Sequence, residues 1–438
     1  MENRKKRSRW LTVMILFFFL LFNQFLGFFI EPITMVVSAF SSITERWLDD
    51  IFPTDLIFMM LFLLVGGILF DRSSRKPLLS FGSFLWGVSA WLMGISPTFA
   101  TFTVSKALYG ISRVSFSGIY AMASDYFKPY NRSKIFSLLL LAHPLSIVLG
   151  TILQDVSQLE QSWRLFLILM GVAAFSITLA IQTKATEPER GAMEPALSTI
   201  PMKGTYRLTW EKSKNLLTKP SLILIYLLIL FGILPTVTLL EGSVIYRSDV
   251  HGLLKPEVYS SILPGMLGVV LGYPIGGIFG DLAFKIKKTG RLLPCLAGFL
   301  VPSIFLICAH GVTDVRSNLF LFYILMIGLF MALSLSNLMA SIMDVTLPEL
   351  RASATAIGLF FQTLSFLMAP TILSIGLKNL PIGALILWMC IVPWTICLGL
   401  LTGLFFFIQK DIEVLRSHMA YRGLMETKPT RLEGWDDR

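Results

Sequence analysis

Twelve runs of mostly apolar residues follow one another along the chain, and polar or charged positions are largely confined to the gaps between them. The runs fall at 11–35, 54–70, 78–96 and 100–127, then at 133–153, 163–181, 222–240 and 258–282. The last four are 292–310, 318–343, 352–377 and 382–407. A helix of about 20 residues crosses a hydrocarbon layer about 30 Å thick, so each run is of spanning length. The signal is one of long runs, not the alternation of a membrane strand. The pattern predicts an all-α integral membrane protein with twelve transmembrane helices. The first run has a basic flank, Arg4, Lys5, Lys6, Arg7 and Arg9, as a signal peptide does. It is longer than the apolar part of such a peptide and has no evident small-residue cleavage site, so it reads as a retained helix.

Composition agrees with the pattern. Of 438 residues, 55% are hydrophobic and 15% charged, against about 25% charged in a soluble domain. The chain lacks the polar skin of a soluble enzyme. The formal charge of +10 does not mark a nucleic-acid partner, because the basic residues sit at the edges of apolar runs. With the amino terminus inside, the inner segments hold 29 lysines and arginines. The outer side holds seven: Arg46, Lys106, Arg164, Arg247, Lys255, Arg316 and Lys378. Positive charge marks the cytoplasmic side, so both termini are expected in the cytoplasm and the protein in a cell (inner) membrane. The four cysteines, Cys295, Cys308, Cys390 and Cys397, lie in apolar runs and read as small apolar residues. No metal or cofactor site is expected.

A repeat runs through the chain. Run two ends Gly66-Gly67-Ile68-Leu69-Phe70-Asp71 and run eight ends Gly276-Gly277-Ile278-Phe279-Gly280-Asp281, each followed by basic residues. Asp125, Pro129 and Arg132 recur with identical spacing as Asp344, Pro348 and Arg351. Two pseudo-symmetric six-helix bundles follow, residues 1–181 and 220–407, with a linker at 182–219 that carries Pro188, Pro195 and Pro201, and a charged, solvated tail at 408–438. A parallel repeat of this kind places a substrate site near the midplane between the halves.

The loop Gly67-x-x-x-Asp71-Arg72-x-x-Arg75-Lys76 resembles the signature loop of the major facilitator superfamily, with Ser74 where a glycine is usual. Ser115-Phe116, Ser124-Asp125-Tyr126-Phe127, Asn131-Arg132-Ser133, Pro144, Gly150 and Glu187-Pro188-Glu189-Arg190-Gly191 are similar to Spinster-like transporters, which export lysolipids, sphingolipid phosphates and related amphipaths. The resemblance implies a cytoplasmic gate in which Asp71 caps the start of span eleven near Ala352, Arg75 pairs with Asp125 and Arg132 adds a second cation. Arg72 belongs to the same loop, and the repeat adds Asp281, Asp344 and Arg351. The plainer reading of these charges is that they set topology. One departure concerns proton coupling. Spinster-like proteins carry an Asp-Arg pair on span one and a glutamate on span four, where this chain has Leu26-Gly27 and Arg113.

Arg113 lies in the middle of span four. Arginine at the bilayer centre costs about 2.5–3.5 kcal/mol on insertion scales and keeps its proton, so it needs a counter-charge or a wet cavity. It either pairs internally, with Glu31 of span one or a helix carbonyl, or forks an anionic substrate group. In the proteins this chain resembles span four lines the cleft, which favours the anion. Asn23, Gln24, His143, Asn337 and Gln362 are further cleft-lining candidates, and each is equally able to bridge helices. Glu31 and His143 are the candidate proton carriers. Gly268, Gly272, Gly276 and Gly280 leave one face of span eight bare, and Pro32, Pro144, Pro235, Pro264, Pro274 and Pro302 favour kinks. No nucleotide loop, metal cluster or catalytic constellation is evident. The reading is a monomeric secondary transporter or antiporter for an organic or amphipathic anion such as a lysolipid, with small-molecule or lipid substrate and membrane lipids as partners. A non-transporting sensor on the same fold and a lipid-modifying membrane enzyme are the alternatives.

Overall fold

The computed structural model describes residues 2–40, 53–153, 156–197, 216–246, 255–312 and 314–427. Arg46, Arg247 and Pro201 lie outside them, as do the side chains of Arg4, Lys5, Lys6, Arg7 and Lys255. The described residues are helical and joined by turns, with no strand among them. The first half comprises α1 (Glu2–Phe40), α2 (Thr54–Arg72), α3 (Arg75–Ile95), α4 in two parts (Phe99–Ser112 and Ser115–Tyr126), α5 in two parts (Arg132–Leu140 and Ala142–Leu153) and α6 (Val156–Lys184). The second comprises α7 (Pro220–Ile245), α8 (Lys255–Ile286), α9 (Leu292–His310), α10 (Asn318–Asp344), α11 (Arg351–Gly376) and α12 (Ile382–Thr427). Eleven of these, α5 with its turn included, are long and apolar enough to cross a membrane without interruption. The twelfth, α4, is divided at Arg113.

The interruptions have local causes. Around Arg113 the backbone changes to i→i−3 bonds: Arg113 N–H to Gly110 O, Val114 N–H to Ile111 O and Phe116 N–H to Arg113 O, at 3.0–3.2 Å. The hydroxyls of Ser112 and Ser117 bond the carbonyls of Tyr109 and Val114 at 2.6 and 3.0 Å, which competes with regular helix. In α5 the break at Leu141 precedes Pro144, whose ring lacks the N–H for the carbonyl of Leu140 and crowds it.

Within the halves α3 packs on α6, α8 on α10 and α7 on α12. The bare face of α8 is what lets α10 approach. A Cβ on Gly276 would lie 2.7 Å from Leu333 Cα, and Gly268, Gly272 and Gly280 face Leu325, Leu329 and Asn337 in turn. Small residues allow such contact between helices where lipid supplies no hydrophobic drive. Across the halves α2 packs on α11, and the first part of α5 on α8, the same pairing in mirrored roles. Outward-facing apolar residues such as Leu61, Phe62, Leu64 and Val65 of α2 remain exposed, as a lipid-facing surface requires.

The tail departs from the solvated segment expected. At about 1.5 Å per residue, the 46 residues of α12 far exceed a bilayer, and the helix continues beyond it. Leu415 and Met419 there pack on Leu197 of the linker, and Arg422 pairs with Glu349 at 2.9 Å.

Candidate functional site

On the face that carries the start of α1 and the end of α12, the repeated motifs meet in a buried ionic cluster. Asp71, ending α2, accepts from the free N–H groups of Ala352 (3.0 Å) and Ser353 (2.7 Å) at the start of α11. Asp281, in the last two turns of α8, accepts from Ser133 (3.2 Å) and Lys134 (3.0 Å) at the start of α5. Each carboxylate thus supplies an acceptor to orphan donors and meets the positive end of the helix dipole. Arg75 bonds Asp125 at 2.5 Å, and Arg351 bonds the same carboxylate at 2.7 Å. In the other half Arg291 pairs with Asp344, which also takes Arg132 at 3.3 Å. Arg132–Asp344 and Arg351–Asp125 cross between the halves. Arg72 is exposed and makes no ion pair among the described residues, so it stands outside the cluster that the loop motif placed it in.

The linker does more than connect. Glu187 accepts from the N–H groups of Arg75 (2.7 Å) and Lys76 (3.0 Å), capping α3. Arg190 donates to the carbonyls of Phe70, Asp71 and Ser73, capping α2. Gly191 donates to Asp125 at 3.0 Å. It holds φ at +70°, and a Cβ there would lie 2.9 Å from Pro348; glycine takes this left-handed conformation at no steric cost. The turn delivers Glu194 between Arg132 and Arg351, and it bonds both. Burial alone would raise its pKa, but the two guanidiniums hold it down to about 2. Glu194 was not singled out from the sequence. In a polar linker it reads as one more solvated acid.

Near the middle of the molecule a cavity of about 90 Å³ lies between the halves. Gln24 of α1, Arg113, Phe116 and Tyr120 of α4 and His143 of α5 line it from one side; Tyr273 of α8 and Gln362, Thr363 and Phe366 of α11 line it from the other. His143 meets the edge of Phe366 at 6.2 Å. At roughly 30 Å³ per water, the space suits a few waters or one small polar group. Arg113 is 14% exposed and pairs through one terminal nitrogen with Asp55 of α2, at 3.2 Å. The rings of Tyr109 and Phe116 lie 5.7 and 5.8 Å from it, within cation–π range. Its Nε is buried without a partner, as is Oε1 of Gln362. An open buried polar atom calls for a partner such as a water, an ion or a ligand group.

The cavity corrects part of the candidate set. Asn337 does not line it: its amide nitrogen donates to Gly276 at 2.9 Å and to Leu333 at 2.8 Å, bridging α10 and α8. Asn23 is buried under Tyr109, whose hydroxyl donates to the Asn23 carbonyl at 2.7 Å. Glu31 is exposed and does not line the cavity. The internal partner of Arg113 is Asp55, not Glu31. Asp55 begins α2, where an acid is ordinary helix-start chemistry, so nothing in the sequence tied it to a residue 58 positions away.

Gly110 makes that pair possible. A Cβ there would drive into the Asp55 carbonyl oxygen and lie 2.8 Å from its Cα. Gly110→Ala is expected to cost about 1–3 kcal/mol, the usual overpacking range, and to lower the thermal unfolding midpoint in detergent. Gly399→Ala, with nothing within 4 Å of the added methyl, is the control and should leave the midpoint unchanged.

Two repeated six-helix halves meeting at a mostly apolar cavity, with Arg113, His143 and Gln362 in its wall, define a polytopic membrane protein. The chain belongs to the Major Facilitator Superfamily, whose family model matches residues 12–370. It is 30% identical to Protein spinster of Drosophila melanogaster over 193 residues, which is 43% of this chain and 31% of that protein. It is 31% identical to Protein spinster homolog 3 of Homo sapiens over 134 residues, 30% of this chain and 26% of that one. The matches thus span about a third or less of these relatives. Among solved structures, the proton:xylose symporter XylE bound to 6-bromo-6-deoxy-D-glucose superposes with a TM-score of 0.71 at 13% identity, covering 94% of this chain and 99% of that one. A double-Trp mutant of XylE gives 0.68 at 15% identity, covering 95% and 99%. These likenesses establish the fold.

Proposed function

We propose that the protein is a secondary transporter that moves an organic or amphipathic anion by alternating access. The observation that carries this reading is Arg113, a permanent cation in a cavity shared by both halves, with its Nε unpartnered. A guanidinium binds carboxylate or phosphate through paired donors, and Gln24, His143 and Gln362 add polar contacts around it. The cavity admits a polar headgroup and no more, so an acyl chain would run out along the apolar interface. Likeness to Protein spinster and its homolog supports an amphipathic cargo, a lysolipid for example.

The ionic cluster is the gate. It ties the halves together at the face that bears the start of α1 and the end of α12, and the bias of basic residues supports a cytoplasmic position for that face. Movement of one half against the other breaks Arg132–Asp344, Arg351–Asp125 and both helix caps together. One chain lines the whole cavity, so a monomer suffices.

The purified full chain in sealed vesicles tests the reading. A fluorescent anionic lysolipid should cross the membrane without covalent change, and a neutral amphipath of the same chain length should not. Recovery of a modified lipid would establish the enzyme alternative. Binding without movement would establish a sensor.

A further inference from the structure

Outside the buried ions of the cluster, two lysines from different halves end on one ring. Nζ of Lys128, in the turn before α5, lies 5.9 Å from the centroid of Tyr130, and Nζ of Lys285, in the last turn of α8, lies 5.5 Å from it. The turn is held in place. Lys128 is extended (φ −59°, ψ 152°), as the residue before a proline must be, and Arg291 donates to the Pro129 carbonyl across the halves. Lys128, Tyr130 and Lys285 are exposed, and neither lysine makes an ion pair among the described residues. The nearby acids are already used: Asp281 on the head of α5 and on Arg291, Asp344 on Arg291 and Arg132. More cations stand beside them. Lys288 and Arg416 lie 5.3 and 6.0 Å from the ring of Phe284, which Arg291 also faces. Burial and those two guanidiniums lower the pKa of Lys288. The fold thus gathers a surplus of positive charge, and contact with an aromatic ring is a weak substitute for a counter-ion.

The same helix supplies an apolar face next to these cations. Phe279, Leu282 and Ile286 of α8 are exposed and share one side of the helix by their spacing, and Lys285, three residues after Leu282, continues that side. A tyrosine between lysines at the end of such a face suits the headgroup level of a membrane. We propose that an anionic phospholipid, in the leaflet on the cluster side, seats its phosphate between Lys128 and Lys285, lays its acyl chains along Phe279, Leu282 and Ile286, and so bridges the two halves. The adjoining apolar face is what favours a lipid over a soluble phosphate. Opening this side of the molecule moves α8 away from α5 and parts the two lysines, so the lipid keeps only one of them. A ligand shifts a balance by no more than its difference in affinity for the two states. One lysine near an anionic lipid is worth about fivefold in binding, so the lipid favours the closed state by about that factor. The effect on the balance rests on the reading of the ionic cluster as the gate; the lipid site does not.

The test titrates the full chain in neutral detergent with dioctanoyl phosphatidylglycerol, and with dioctanoyl phosphatidylcholine and glycerol phosphate as comparisons. Phosphatidylglycerol should bind more tightly than either. Lys128→Gln and Lys285→Gln should each weaken it about fivefold, and the double variant about 25-fold. Arg72→Gln, which removes an exposed basic residue at the end of α2, should leave the affinity unchanged. Affinity that is unaltered in the lysine variants, equally altered by Arg72→Gln, or matched by glycerol phosphate overturns the inference. Affinity lost in Arg113→Ala but kept in the lysine variants puts the lipid in the cavity, which overturns the inference and upholds the anion reading. The lipid should also lower, about fivefold, the thiol accessibility of a cysteine introduced on the cluster-facing end of α11 in a Cys308→Ser background, and neither lysine variant should respond. No change, in a protein whose accessibility does shift with Glu194→Ala, overturns the bridge. No change with either defeats the gate reading, and the titrations alone then decide the lipid site.

Discussion

Arg113→Ala is expected to weaken decanesulfonate binding about 10- to 150-fold, the worth of a charged hydrogen bond of about 1.5–3 kcal/mol, and to abolish vesicle transport. The protein should still fold. Asp55 keeps Lys106 at 3.7 Å, so the variant leaves no carboxylate stranded, and it removes the cost of inserting an arginine. Arg113→Lys should recover only part of the affinity, because an ammonium cannot reproduce the paired donors of a guanidinium. Binding titrations of both variants, with decyl maltoside as the neutral comparison, check this. A wild-type affinity in Arg113→Ala would end the anchor role.

Glu194→Ala should swing the conformational balance toward a state open at the face that carries the ionic cluster. It leaves Arg132 and Arg351, 1% and 0% exposed, facing each other without the shared carboxylate, Arg132 with Asp344 and Arg351 with Asp125 as their remaining acidic partners. Losing a charged hydrogen bond of this kind costs about 1.5–3 kcal/mol, roughly a 10- to 150-fold shift. The shift can be read as thiol accessibility at a cysteine introduced on the cluster-facing end of α11, in a Cys308→Ser background, since Cys308 is the exposed native thiol and Cys295, Cys390 and Cys397 are buried. Unchanged accessibility would show that the linker is a tether only. The same contact predicts a pH response. A carboxylate whose pKa is depressed in the folded state stabilises it fully above the ordinary value near 4.5, and that stabilisation is lost only as pH falls toward about 2. Between pH 5 and 8 Glu194 should therefore leave the balance unchanged, and Glu194→Gln should shift it at every pH in that window.

Some of this site is written locally. Asp71 and Asp281 are acids at the ends of apolar runs, and Pro129 and Pro348 open matching turns before Arg132 and Arg351. Two helix ends with the same motif are brought together by the same chemistry, so the repeat carried the cluster. Glu194 was hidden because its partners come from α5 and α11, and only a turn at Gly191 carries it to them. Arg72 shows the converse: motif position alone put it with the cluster, and the helix turned it to solvent.

The amino-acid sequence alone determined the spans, the two related halves and a cation stranded in mid-membrane. Those follow from a rule that acts along the chain: the bilayer demands about 20 apolar residues per crossing and penalises charge within it. Tertiary structure alone decided which polar residues share the cavity. Gln362 reaches it, while Asn337 is spent on the α8–α10 contact, because helices apolar all round carry no stripe to mark their inner face. It also decided that Asp55 answers Arg113. Their meeting depends on how closely α2 can press onto α4 at Gly110, a matter of packing between helices that no local pattern encodes.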